Sequence, residues 1–548
     1  MKLVLLTLSL VLLALPAGAE VALNSLFADG MVLQRETEVP IWGTADAGTT
    51  VTVEFAGQSK VTTADAAGYW NVRLAPLPAS SESRVLEVKS ASGSMQFRDV
   101  LVGDVWLAAG QSNMAYPVIS LPDASQVLAR ADDSQLRFFT VAKKVAAEPQ
   151  GDLQGKWEVS NPITTRGLSA VAYFFAREIR RTQNIPVAVI QASWGGAPIQ
   201  PWISLAGFRR NPPLAKQLAE WKSALAEHEN VKSNPNLATD YLEDLRIWKQ
   251  EVEPAFNAAL KKYDAEVAAG RTDGKRPLPE RPDPINPDPM GLPGPSKRPV
   301  TPTVIFNGMI APLVPYALRG FIWYQGESDG GNGLEYRILL PRLITDWRTL
   351  WNEEDLPFLF VQLPDYGPDS EPVAKSGWPY LREAQFLTLK VVPHTGMAVT
   401  IDVGNPKDIH PARKLPVGQR LSVIARKLAY GEDINASGPV YEDFSVVDGK
   451  VKVRFGETGS GLTVGQVPGA APEAQAPTGD KLIGFFLAGE DKKWYEADAT
   501  IEGDSVIVSS PAVPHPLAAR YGWANSPRCN LYNKEGLPAS PFRTDDWR

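Results

Sequence analysis

Apolar and polar positions along this 548-residue chain follow three different rhythms. From Val21 to about Val100, short alternating stretches (Val39 to Gly43, Thr50 to Phe55, Trp70 to Leu74, Val85 to Lys89) are broken by Ala67-Gly68 and by the Ser-rich run Pro78 to Ser83. A period of two with frequent turns predicts the half-buried strands of a β-sandwich. Pro40 has no N–H for a ladder, so the Val39 strand is expected at an edge.

After Asp104 the rhythm changes. Apolar runs at Val105 to Ala109, Pro186 to Gln191, Gly320 to Tyr324, Phe358 to Gln362 and Gly396 to Ile401 read as buried strands. Helical stretches at Ala170 to Arg181, Leu339 to Leu350, Tyr380 to Val391 and Pro416 to Ala429 lie between and after them. Such alternation predicts a mostly parallel sheet with helices on both faces, whose sites lie beyond the carboxyl ends of its strands. Leu214 to Ala268 is charged and helix-rich, and Arg276 to Pro302 is too dense in proline for regular helix. That segment reads as an insertion of one or two helices and an extended strap, which could serve as a lid. From about Gly438, β-like segments return at Val451 to Phe455, Lys481 to Leu487, Ala497 to Ile501 and Ser505 to Val508. The expected organisation is a β-rich unit over 20–100 and an α/β domain in two parts, 101–205 and 304–432. The insertion occupies 206–303, and a second β-rich unit occupies 433–548.

Composition narrows the function classes. A net charge of −7 gives no basic face for nucleic acid or an anionic membrane surface. Lys2, the apolar run Leu3 to Leu15 and Pro16-Ala17-Gly18-Ala19 form a secretory-signal pattern over 1–19, too short to span a bilayer. The one cysteine, Cys529, cannot form an internal disulfide. Together these predict a secreted or periplasmic bacterial protein without stable membrane insertion. The sequence does not reveal its oligomeric state.

Candidate chemistry gathers at predicted strand ends. The run Val105 to Ala109 stops at Gly110, and Gln111-Ser112-Asn113-Met114 follows where a helix could begin. A serine at such a turn sits near unpaired N–H groups and a positive dipole end, which suits a nucleophile passing through an oxyanion. Of four histidines, His228 lies between glutamates on an expected solvated face, and His394 and His515 follow prolines in loops. His410 lies between a strand end and the helix at Pro416, so it is the candidate base for Ser112. Asp408, Asp402 and a backbone carbonyl are all candidates to orient it. Gly195 and Gly196, after the Pro186 strand, allow close approach of backbone N–H groups to a ligand. Gln325 offers an amide donor, and Gln111, Asn113, Trp194, Tyr324 and Glu327 are candidate substrate contacts. No His/Cys/carboxylate cluster points to a metal, and no cofactor is expected.

Several blocks together resemble the sialate O-acetylesterases of the SGNH hydrolase superfamily. They are Gly110-Gln111-Ser112-Asn113-Met114, Trp323-Tyr324-Gln325-Gly326-Glu327-Ser328 and Asp408-Ile409-His410-Pro411. Asn307-Gly308-Met309-Ile310, Arg382-Glu383-Ala384-Gln385, Arg520-Tyr521-Gly522-Trp523, Asn530-Leu531-Tyr532-Asn533 and Gly536-Leu537-Pro538-Ala539 extend the likeness over most of the chain outside the insertion. The resemblance implies a flavodoxin-like α/β esterase domain flanked by β domains, acting on an acetylated carbohydrate. Carried over by position, it makes Ser112 the nucleophile and His410 the general base. The Ser112 N–H, a Gly195 or Gly196 N–H and the Gln325 side chain become the oxyanion hole. The superfamily usually has an aspartate three residues before the histidine; here Lys407 holds that position and Asp408 is the substitute triad acid. Competing expectations are an acetylxylan or other glycan acetylesterase, and a non-catalytic carbohydrate-binding protein.

Overall fold

The computed structural model describes residues 21–268, 277–292, 298–367, 377–465 and 481–547. The expected signal segment 1–19 and parts of the proline-rich strap lie outside the described residues. Among the described residues the site is carried by an eleven-stranded sheet, whose main path has seven strands: β1 (Gly93–Gly110), β2 (Asp133–Thr140), β3 (Trp157–Ser160), β4 (Val187–Ser193), β5 (Gly320–Tyr324), β6 (Phe358–Val361) and β7 (Thr395–Ala398). Their order is β3-β2-β4-β1-β5-β6-β7, with β3 antiparallel to β2 and every other neighbouring pair parallel. The Val105–Gly110 half of β1 pairs with β4 on one side and β5 on the other. It is buried throughout, as a central strand covered on both faces requires.

Alternation on β5 shows how the two faces are filled. Phe321 and Trp323 enter one core with Trp347 and Leu381, from helices Gly333–Trp351 and Trp378–Val391. Ile322 and Tyr324 enter the other with Phe174 and Leu421, from helices Ala170–Gln183 and Lys414–Leu428. Those last two helices meet closely at Gly418, where a Cβ would lie 2.6 Å from Phe174 Cβ. Ser169 caps the helix Ala170–Gln183 by accepting from the Ala172 N–H at 3.1 Å.

The β-rich amino-terminal region is continuous with this sheet. The expected boundary near residue 100 falls inside β1, whose first half pairs antiparallel with Ser80–Ser90. Exposure alternates over Gly93–Asp99 and vanishes from Val100 onward, so one strand changes from a two-faced surface to a doubly covered core. The Val39–Thr44 strand is not outermost, because it lies between Ala22–Leu23 and Tyr69–Leu74. Ala22–Leu23 reaches only Gly43 and Thr44, however, which leaves Pro40 uncovered on that side.

Among the described residues the insertion contains three long helices, Ala215–Ser233, Asn236–Glu251 and Glu253–Ala268, rather than one or two. Only short connections separate them, so the polar pattern reads as continuous. Among the described residues the carboxyl-terminal region has two four-stranded sheets and a strand pair. Arg382 fastens it to the α/β region: its fully buried guanidinium donates to the carbonyls of Leu363 and Pro364 on one side and of Ala524 and Asn525 on the other, at 2.7–2.8 Å. Among the described residues no helix is long and apolar enough to cross a membrane.

Candidate active site

Ser112 opens the one-turn helix Ser112–Ala115 directly beyond β1. Neighbouring strand ends brace this turn: the Gln111 N–H donates to Tyr324 O at 3.0 Å, and the Trp194 N–H to Gly110 O at 2.9 Å. Gly110 has φ +141, and a Cβ there would lie 2.1 Å from Tyr324 O, so only glycine fits between the two strands. Gly195, after β4, faces the serine, with the site of a Cβ 3.5 Å from Ser112 Cβ. Across the opening, His410 Nε2 lies 2.8 Å from Ser112 Oγ. Residues 298 positions apart thus meet as a hydroxyl and a ring nitrogen within hydrogen-bond reach.

The histidine is held by its backbone. Asp408 Oδ1 accepts the His410 N–H at 2.8 Å but stays 3.9 Å from Nδ1, too far for a hydrogen bond. Asp402 is committed elsewhere, to Arg420 through two 2.6 Å contacts and to the Tyr532 hydroxyl at 3.1 Å. Burial lowers the His410 pKa from its ordinary value; the Asp408 charge opposes that shift and the Lys414 charge adds to it.

Ser112 and His410 open into a cavity of about 1240 Å³. Gln111, Trp194, Gly195, Gly196 and Glu327, all singled out in the sequence, line it. Three others singled out as oxyanion or substrate contacts do not, and neither does Asp408. Gln325 is fully buried, and its Nε2 already donates to Asp329 Oδ2 at 2.6 Å, with weaker contacts to Gln111 Oε1 and Ala197 O. Its Oε1 accepts from Tyr336 at 2.9 Å, so the amide is turned away from the cavity. Tyr324 belongs to the core, and Asn113 is fully buried in a polar network behind the serine.

Gln111 has the opposite arrangement. Its Oε1 is held by the N–H groups of Ser328 at 3.2 Å and Gly326 at 3.4 Å and by Gln325 Nε2 at 3.2 Å. That fixes which end of the carboxamide is the donor and leaves Nε2 outside those three contacts, on a residue that lines the cavity and directly precedes Ser112. Glu327 accepts from Asn113 Nδ2 at 2.5 Å through Oε1, while its buried Oε2 has no hydrogen-bond partner among the described residues. Burial raises the Glu327 pKa from its ordinary value.

The insertion supplies much of the opposite wall, through Lys249, Asn286, Pro289, Gly291, Leu292 and Arg298–Thr301. Among the described residues, Lys143, Lys144, Lys249 and Arg298 put four cationic side chains around the cavity, and Glu327 is the one carboxylate in its lining. Arg298 lies over Gly196, with Nε 2.8 Å from where a Cβ would stand. His228 is not a solvated residue: its Nδ1 lies 2.9 Å from both Asp288 oxygens, tying the helix Ala215–Ser233 to the strap that walls the cavity. Sequence reasoning also passed over Lys414. Its signal was a lysine at the start of a helix, where the dipole disfavours a cation.

Known proteins resemble the chain over most of its length. The family described as carbohydrate esterase, sialic acid-specific acetylesterase, matches residues 306–421. The sialate O-acetylesterase of Rattus norvegicus is 29% identical over 573 residues, covering 96% of this chain and 94% of the rat protein. The Homo sapiens sialate O-acetylesterase is 28% identical over 574 residues, with 96% and 93% covered. A crystal structure of a carbohydrate acetylesterase from Xanthomonas citri has a TM-score of 0.75 and 35% identity, covering 96% of this chain and all of that one.

Proposed function

This chain belongs to the sialate O-acetylesterase family of carbohydrate esterases, and from that premise we propose that it removes O-acetyl groups from an acidic sugar through an acetyl-serine intermediate. It is a carboxylic ester hydrolase; the mechanism and the sugar are the parts proposed. The observation that carries the mechanism is the 2.8 Å approach of His410 Nε2 to Ser112 Oγ at the floor of the cavity.

In this reading the Ser112 oxygen attacks the acetyl carbonyl as His410 Nε2 takes its proton. The resulting oxyanion sits against the Ser112 N–H, a Gly195 or Gly196 N–H and Gln111 Nε2, which takes the place expected of Gln325. One such donor is worth ~3–4 kcal/mol to the transition state. Collapse expels the sugar alkoxide, which receives the proton from His410. Water, deprotonated by the same ring, then attacks the acetyl-serine and releases acetate, restoring Ser112. Asp408 acts on the imidazolium through space rather than by a direct bond.

The four cations of the cavity support an acidic sugar over a neutral one, particularly in a chain whose net charge is −7. Export to a bacterial periplasm or exterior, read from Lys2 to Ala19, belongs to the same proposal.

The decisive variant is Ser112→Ala. It is expected to lose hydrolysis of p-nitrophenyl acetate while keeping the wild-type melting profile; unchanged turnover would overturn the mechanism. Acetate release from O-acetylated sialic acid compared with acetylxylan tests the substrate. Equal or better turnover of acetylxylan would favour the neutral-glycan reading.

A further inference from the structure

Behind the serine lies a buried polar pair, Asn113 and Lys414, that forms no part of the cavity lining. Asn113, fully buried, donates through Nδ2 to Ile409 O at 2.8 Å and to Glu327 Oε1 at 2.5 Å. Its Oδ1 accepts from Lys414 Nζ. Lys414 holds its ammonium over the rings of Tyr116 at 4.8 Å and Tyr324 at 5.4 Å. Asn113 directly follows Ser112, and Ile409 directly precedes His410. One carboxamide therefore ties the nucleophile's segment to the base's segment.

We propose that Lys414 is a positioning residue for the Ser112–His410 pair, fixing the Asn113 carboxamide so that it holds the carbonyl next to the base. This rests on the reading of Ser112 and His410 as the reacting pair. Burial lowers the Lys414 pKa to about 7, and the ammonium form, filled as pH falls below that value, can only donate; in that form Asn113 must turn its oxygen toward Lys414 and its NH₂ toward Ile409 and Glu327. The positive charge also favours an ionised Glu327, which keeps that carboxylate an acceptor for Nδ2. His410 makes no hydrogen bond at Nδ1 among the described residues, so its ring is placed by the backbone on either side. On the Ile409 side, that placement ends at Lys414.

Lys414→Met removes the donor and the charge together. The buried Glu327 then takes a proton and can donate to Asn113 Oδ1. The amide can turn over, and Ile409 O loses its partner. A shift of ~1 Å in a reacting group can cost ~10²-fold. The test reads kcat and KM on p-nitrophenyl acetate for Lys414→Met, Lys414→Arg, Asn113→Leu and the Lys414→Met/Asn113→Leu double variant, each checked by thermal melt. Lys414→Met is expected to lower kcat by ~10–100-fold, with KM within about two-fold because Lys414 is not in the cavity wall. Lys414→Arg, which keeps charge and donor, should retain kcat within about three-fold. The double variant should be no slower than Asn113→Leu alone, because Lys414 acts through Asn113.

Wild-type kcat in Lys414→Met, an equal loss in Lys414→Arg, or multiplying losses in the double variant would each overturn the proposal. Should Lys414→Met fail to fold, Lys414→Leu, which likewise removes both donor and charge, is read in its place by the same criteria. An active Ser112→Ala would instead bring down the underlying reading. An inactive Ser112→Ala with a fully active Lys414→Met would bring down this inference alone.

Discussion

Replacing Asp408 by asparagine separates a through-space carboxylate from a true triad acid. The carboxamide oxygen of the substituted side chain can still accept the His410 N–H that Asp408 holds at 2.8 Å, so the turn survives and only the charge is lost. The charge lies 3.9 Å from Nδ1, and the Asp408 side chain is about half exposed, at 54%. At ~4 Å in water a unit pair is worth ~1 kcal/mol, and measured exposed pairs run ~0.2–1 kcal/mol. The imidazolium formed during attack should lose no more than that, which is ~1.5–5-fold in kcat/KM at ~1.4 kcal/mol per factor of ten. A carboxylate hydrogen-bonded to Nδ1 would be worth ~10⁴-fold.

The pH profile of Asp408→Asn carries a second sign. Burial already lowers the His410 pKa, and Asp408 works against that shift. The base must be neutral, so activity is lost as pH falls through that pKa. Removing the Asp408 charge should move the acid limb of kcat/KM to still lower pH. Initial rates on p-nitrophenyl acetate from about pH 4.5 to 9, a range that spans the ordinary histidine pKa, read both quantities. A loss of ~10³-fold or more, or an acid limb moving upward, would refute this account of Asp408.

Three further outcomes follow from the same geometry. Gln111→Glu keeps an acceptor for the Gly326 and Ser328 N–H groups but replaces the cavity-facing donor with a carboxylate. It should lower kcat by ~10²-fold or more, the cost of one oxyanion donor, and wild-type kcat would exclude Gln111 from that role. Arg298→Ala should raise KM for O-acetylated sialic acid a few-fold at low salt, converging with wild type as salt rises, and leave p-nitrophenyl acetate unaffected. A salt-independent or substrate-independent change would argue against electrostatic recognition at that wall. Burial pushes Asp329 up to about 7, so its folded form holds a proton that its unfolded form, at ~3.9, releases. The stability tied to that proton is full below about pH 4 and lost as pH rises through about 7. Melting curves should therefore show wild type losing ground to Asp329→Asn between about pH 5 and 8, and a pH-independent gap would show that Asp329 is ionised throughout.

The alternating strands and helices of the α/β region were legible because each strand there is a continuous apolar run and each helix carries an apolar stripe. β2 and β3 were missed. Asp133-Ser-Gln-Leu-Arg-Phe-Phe-Thr has no clear period, and its position is set by pairing with β4 rather than by its own pattern. Ser112, His410 and Gly195 were readable as strand-end residues, and the fold brings all three together. The roles of the two glutamines were not readable. Which carboxamide faces the cavity depends on Asp329 and Tyr336 claiming Gln325, and on Gly326 and Ser328 claiming the oxygen of Gln111. The second set of contacts joins segments more than 200 residues apart, where spacing along the chain says nothing. The cationic wall was hidden for the same reason: its lysines and arginine lie on the loop after β2 and in the insertion, scattered among ordinary surface charges.

The place of β1 in the sheet also has a consequence during synthesis. Its Val105–Gly110 half needs β4 on one flank and β5 on the other, and the insertion delays β5 until residue 320. At ~5–20 residues per second, the ribosome leaves that flank without its partner for ~10–40 s after the strand itself has emerged. For that interval the nascent chain carries an open, apolar strand edge of the kind that invites pairing with another chain. The nucleophile's strand is therefore the part of this protein that would gain most from a chaperone while the insertion is being made.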